Sequence, residues 1–140
     1  MAASETKKIC QILKFQYPNV KLCYLSNRTY GGYAITGLNP EPMAYESGFS
    51  VKWVIESQIN GDTALTFMGE NAKSPWIAWG PNLWGNGLSP RNDGLIWLKE
   101  DFVPSDYTHP SDKGRLKVAN LLLAFFKNDE TTKTWFLKNS

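Results

Sequence analysis

Two short runs decide the fold: Val20-Lys21-Leu22-Cys23-Tyr24-Leu25 and Pro75-Trp76-Ile77-Ala78-Trp79-Gly80. Both are strand-length and mostly apolar, and Pro18-Asn19 and Ser26-Asn27 bound the first, so each reads as a buried strand. Between them, Tyr45 to Ile59 places Val51, Val54, Ile55 and Ile59 at helical spacing. Asn60-Gly61 then supplies a left-handed stop. Parallel neighbours need a crossover of a dozen or more residues, usually a helix. Strand, helix, strand therefore makes a βαβ unit and an α/β chain.

Working outward, Ser4 to Tyr17 carries Ile9, Ile12 and Leu13 at helical spacing, with Lys7, Lys8, Gln11 and Lys14 opposite and Pro18 as the stop. Ser111 to Lys127 is a helix with one narrow polar stripe through Lys113, Lys117, Asn120 and Lys127, which predicts burial around most of its circumference. Ser111 and Asp112 suit its cap and first turn. A last turn or two, Thr131 to Leu137, is expected to fold Trp135 and Phe136 back onto the body. The stretches from Ser26 to Pro42 and from Pro81 to Pro110 are rich in Gly and Pro and read as long loops.

A doubly wound sheet normally has about five or six strands, and only two are legible here. Residues 1–140 therefore read as a single partial domain, the second half of such a fold, with self-association or a partner expected to complete the sheet. Ligands of open α/β sheets bind beyond the carboxyl ends of the strands. That places Tyr30, Tyr33, Trp79, Trp84 and the segment near His109 around one crevice.

Composition narrows the function classes. The 140 residues are 42% hydrophobic and 20% charged, ordinary for a globular domain and against disorder. Fifteen basic against 13 acidic residues leave +2, with Lys and Arg scattered, so no nucleic-acid or anionic-membrane face is expected. The longest mostly apolar run, Leu116 to Phe126, is far short of the roughly 20 residues that span a bilayer. The charged N-terminus lacks the apolar stretch of a signal peptide, and localisation stays open. Cys10 and Cys23 form no zinc pattern and read as buried thiols; no metal or cofactor is expected. Aromatics are the one excess, at 14% with six Trp, four of them (Trp76, Trp79, Trp84 and Trp97) in one stretch around an expected crevice.

Chemistry centres on the one histidine. In Asp106-Tyr107-Thr108-His109, the carboxylate can accept the Nδ1 proton and leave Nε2 as a general base; the plainer reading is a capped loop. The extended block Asp106-Tyr107-Thr108-His109-Pro110-Ser111-x-x-Gly114-x-x-Lys117-Val118-Ala119-x-x-Leu122 resembles the last signature block of the SGNH, or GDSL-like, hydrolases. A bacterial branch of that superfamily is similar elsewhere too, at Tyr24-Leu25-Ser26-Asn27-Arg28, Gly31-Gly32-Tyr33-Ala34, Asn39-Pro40-Glu41-Pro42, Tyr45-Glu46-Ser47-Gly48-Phe49, Ala78-Trp79-Gly80-Pro81 and Asp93-Gly94-Leu95. The resemblance implies a flavodoxin-like three-layer α/β/α sandwich that hydrolyses esters, commonly acyl groups on carbohydrates or lipids. It makes His109 the base and Asp106 its orienting partner.

The family's nucleophile and oxyanion-hole blocks do not occur in the 140 residues. Gly61-Asp62-Thr63-Ala64-Leu65 imitates the nucleophile block in the wrong place. Ser26, past a strand's carboxyl end, and Ser47, near a helix start, lack a nucleophile elbow and read as caps or loop contacts. Glu41 and Glu46 could in principle form a carboxylate pair, and Asp93 with Arg91 reads as a turn ion pair. Two function classes follow: a portion of an ester hydrolase, inactive or weak alone, or a non-catalytic carbohydrate-binding or interaction module using the aromatic loops.

Overall fold

The computed structural model describes residues 3–35, 37 and 41–137. Among them the fold is mixed α/β, with a two-stranded parallel sheet and four α-helices. Asn39 and Pro40 of the resemblance lie outside the described residues. The chain divides into two compact units, Met1–Asn27 with Tyr45–Asn82, and Arg28–Ala44 with Leu83–Ser140.

The first unit contains α1 (Ala3–Gln16), β1 (Leu22–Leu25), nearly all of α2 (Met43–Ile59), a 3-10 turn at Thr63–Leu65, and β2 (Trp76–Trp79). The strands pair parallel, Leu22 with Trp76 through Leu25 with Trp79, as the crossover demands. Gly61 takes the expected left-handed φ of +82°. The core gathers Cys10 from α1, Val51, Val54 and Ile55 from α2, Leu65, and Ile77 from β2. Alternation along the strands puts Cys23, Leu25 and Ile77 on one face. The opposite face, with Leu22, Tyr24, Trp76 and Ala78, is only half-buried where full burial was expected, and Trp79 is exposed. Apolar content fixed the strands but not how much covers each side.

Helix α1 corrects the sequence reading of its face. Thr6 and Cys10 are its buried residues, whereas Ile9 and Ile12 are exposed. A small thiol and a hydroxyl let the helix approach closely, and hydrophobicity alone ranks them below isoleucine.

The buried Gln58 amide makes three hydrogen bonds to backbone groups. Its Nε2 donates to the carbonyls of Leu65 (2.9 Å) and Pro75 (3.0 Å), and its Oε1 accepts the Ile77 N–H (2.8 Å). One α2 side chain thus ties the 3-10 turn and the entry of β2 together.

The second unit is built on Leu95, Trp97 and Phe102, with Tyr33, Tyr107, Val118 and Leu121 packed against them. Trp97 is fully buried and so does not line a crevice with the other tryptophans. Gly31 lies flush on Phe102, where an added Cβ would sit 2.3 Å from the ring. The stretch read as loop also holds a 3-10 turn at Lys99–Asp101. Helix α3 (Asp112–Asn128) departs most from expectation: Gly114 is its one buried residue, and Leu116, Leu122 and Leu123 are exposed. Its contacts run to the 3-10 turn and to α4 (Lys133–Phe136), which together cover one side of a cylinder. Trp135 and Phe136 do fold back, with ring centroids 5.8 and 5.2 Å from Phe126, yet stay about half exposed.

Gln58→Leu should lower stability by about 3 kcal/mol, because it strands two carbonyls and an N–H in the core. Urea unfolding followed by tryptophan fluorescence measures it; a loss below about 1 kcal/mol would show that the amide does not hold this corner.

Candidate functional site

The site hangs from the N-terminus of α3. The Ser111 Oγ caps the helix, accepting from the Gly114 N–H (3.4 Å), and donates to the Glu100 carbonyl (2.7 Å). The Ser111 N–H donates to the Asp101 carbonyl (2.8 Å). A Cβ on Gly114 would lie 2.0 Å from that same carbonyl oxygen, so only glycine admits the helix here. One turn on, the Lys117 ammonium meets the buried Asp101 carboxylate and the Ile96 carbonyl (3.1 Å), above the Trp97 ring. The Asp101 Oδ2 also accepts the Leu98 N–H (2.8 Å). Ser111, Gly114 and Lys117 are three residues apart, one helix face, and that face is the helix's seat on Asp101.

From this seat the segment between Val103 and Ser111 loops out and returns. The Val103 N–H donates to the His109 carbonyl (2.9 Å), the Tyr107 N–H to the Val103 carbonyl (2.9 Å), and the Ile35 N–H to the Asp106 carbonyl (3.1 Å). Tyr107 has φ of +50°, an uncommon left-handed conformation for a residue with a bulky side chain. Its ring is capped by the Lys99 ammonium at 4.4 Å.

That reversal turns two successive N–H groups onto one carboxylate. The Asp106 Oδ1 accepts from the Thr108 N–H (2.7 Å) and the His109 N–H (3.0 Å), while its Oδ2 meets the His109 Nδ1 at 2.6 Å. The backbone N–H of Thr108, then that of His109, then the imidazole hold the carboxyl down to about 2. An ionised carboxylate only accepts, so Nδ1 carries the proton and Nε2 holds the lone pair. The His109 side chain is 67% exposed, and among the described residues Nε2 has no hydrogen-bond partner. The arrangement can take a proton from a group brought to Nε2.

The other residues singled out in the sequence fall differently. Tyr30 and Trp84 come together in the second unit, bridged through their backbones and stacked at 6.4 Å and 13°. The Trp84 Nε1 donates to Glu41 (2.7 Å), and its carbonyl accepts from Arg91 (2.7 Å). Tyr33 instead faces the core: its hydroxyl donates to the Trp97 carbonyl (2.9 Å) and its ring packs on Phe102. Trp79 ends β2 in the first unit. Arg91 and Asp93 form the turn ion pair. Asp62 of the imitation block caps the 3-10 turn through the Ala64 N–H (2.9 Å) and pairs with Lys7, a structural role. Ser26 is exposed, with its Oγ against Gly80, and Ser47 lies in the first turns of α2. The sequence reading missed Asp101, Lys99 and the conformation of Tyr107; for Asp101, a carboxylate three residues after Leu98 was the available capping signal. Among the described residues no group of three or more His, Cys, Asp and Glu is placed to hold a metal ion.

Comparison with protein-family models, with curated proteins and with solved structures finds no match.

Because the folded-state value of Asp106 lies below the ordinary 3.8, its contribution to stability is complete above the usual carboxylate range and is lost as pH falls through about 2. A carboxyl carbon-13 titration of Asp106 should have its midpoint near 2. A midpoint near 4 would mean that the three N–H groups do not converge on it in solution.

Proposed function

We propose that this chain carries the acid–base half of an SGNH-type ester hydrolase, with His109 as the general base and Asp106 as the group that orients it. The observation that supports this is the 2.6 Å contact between Nδ1 and Oδ2, with Nε2 left open to solvent. The βαβ order and the position of the Asp-x-x-His turn just before α3 agree with the second half of a flavodoxin-like three-layer sandwich. In this reading a water molecule gives a proton to Nε2 as its oxygen attacks the ester carbonyl. The imidazolium formed is stabilised by the Asp106 carboxylate and returns the proton to the departing alkoxide, giving acid and alcohol. The stacked Tyr30 and Trp84 rings, in the same unit as His109, favour an acylated carbohydrate as the ester.

The test uses the 140-residue chain. With p-nitrophenyl acetate it should show only weak turnover, which His109→Ala removes without unfolding the protein, and a fluorophosphonate probe should label no serine. Turnover unchanged by His109→Ala, or rapid labelling of Ser26 or Ser47, would contradict the assignment.

The partner in this reading is a second copy of the chain. The two-stranded sheet offers strand edges, and Ile9, Ile12 and Phe15 on α1 and Leu116 and Leu123 on α3 are exposed. At about 25 cal/mol per Å² of apolar surface, covering a few hundred square ångströms contributes several kcal/mol. Sedimentation equilibrium at micromolar concentration should give a mass above that of one chain; a stable 15.8 kDa monomer would contradict it.

A further inference from the structure

A cavity of about 720 Å³ lies at the amino end of the two-stranded sheet, the end away from the one where open α/β sheets bind their ligands. That volume is within the roughly 300–1,000 Å³ of small-molecule sites. The last turn of α1 and the turn into β1 form one wall, with Lys14, Phe15, Pro18 and Lys21; the loop before β2 forms the other, with Glu70 and Lys73. All of these residues belong to the first unit. Backbone hydrogen bonds hold both walls: the Trp76 N–H donates to the Lys21 carbonyl (2.9 Å), and the Lys73 N–H to the Thr66 carbonyl (2.7 Å).

The lining carries three ammonium groups and one carboxylate. Lys14 is committed to the fold: its Nζ donates to the carbonyls of Pro18 (2.7 Å) and Val20 (3.1 Å), offsetting the negative end of the α1 dipole. Lys21 and Lys73 are not. Among the described residues neither ammonium has a hydrogen-bond or ion-pair partner, whereas Lys7, Lys113, Lys117 and Lys133 each meet a carboxylate. Glu70, although it lines the same cavity, pairs with neither of them. Phe15 is 81% exposed, so the core does not use its ring. The cavity thus holds two uncommitted cations, one uncommitted anion and an open aromatic face.

We propose that this cavity binds a phosphomonoester that carries a flat ring. Two ammonium groups match the near-double negative charge of a phosphomonoester at neutral pH, and lysine binds phosphate as a point charge without the planar geometry that arginine demands. A bare phosphate would leave most of the volume empty; a flat ring fills it and stacks on Phe15. Glu70 repels further negative charge, which selects one phosphate over a chain of them. The site takes a ligand and needs no group from the Asp106–His109 turn, whose residues belong to the second unit.

Phenyl phosphate titrated into the nitrogen-15-labelled 140-residue chain tests this, read through backbone amide shifts. Saturable shifts should centre on residues 11–21 and 69–73, and inorganic phosphate should bind more weakly. Lys21→Ala and Lys73→Ala should each weaken phenyl phosphate by about fivefold, the upper end for an exposed ion pair. Phe15→Ala should reduce its affinity to that of inorganic phosphate, Glu70→Gln should raise it, and Lys8→Ala, on α1 outside the cavity, should leave it unchanged. The proposal is overturned if millimolar phenyl phosphate gives no saturable shift, if the shifts centre elsewhere, if inorganic phosphate binds equally well, or if Lys21→Ala and Lys73→Ala bind like the unmutated chain. The shift map and the inorganic phosphate comparison on the unmutated chain decide the matter even where a variant fails to fold.

Discussion

The carboxylate of Asp101 is the point on which the second unit is organised. It is nearly inaccessible, and a buried charge is tolerated only when it is paired and hydrogen-bonded. Lys117 supplies the charge and the Leu98 N–H a further donor, while the Asp101 carbonyl receives the Ser111 N–H. These contacts fix the start of α3 against a 3-10 turn, and Gly114 removes the one side chain that would hold the two apart. Exchanging the pair for apolar residues could be neutral for stability, but removing one partner alone would leave the other charge buried and unpaired, which costs about 3–5 kcal/mol.

What the seat positions is the turn before it. With Phe102 bridged to Pro110 and Val103 bonded to His109, the five residues between them have little freedom. Tyr107 absorbs the reversal in a left-handed conformation of the kind that gathers at functional sites. Its ring lies between the core and the Lys99 ammonium, so packing and a cation–π contact oppose that strain. The outcome is a carboxylate holding two backbone donors and one ring nitrogen, which fixes the imidazole in tautomer as well as in direction. A capped loop would need only the backbone donors; the contact to Nδ1 is the additional feature that a general base requires.

The sequence made legible whatever depends on local chemistry. The βαβ order, the Ser111 cap, the left-handed Gly61 and the Asp106–His109 pairing all follow from residues a few positions apart. Burial was legible only where periodicity and packing agree, as on α2 with Val51, Val54 and Ile55. It was misjudged on α1, where Thr6 and Cys10 replace bulkier neighbours at the core, and on α3, where an apolar composition met cover on one side only. Trp97 and Tyr33 were read as crevice aromatics, yet their polar atoms are bonded to the Leu83 and Trp97 carbonyls inside the unit. Gln58 gave no sign, because its three partners lie 7 to 19 residues away and are all backbone atoms.

The orientation of the His109 ring is the claim on which the functional account stands, and nitrogen-15 chemical shifts of that single imidazole test it directly. In the neutral ring the account requires a protonated Nδ1 and an unprotonated Nε2, with Asp106→Asn shifting the proton toward Nε2 because an amide can donate to Nδ1. A proton found on Nε2 in the unmutated chain, or a tautomer mixture indifferent to Asp106→Asn, would contradict it.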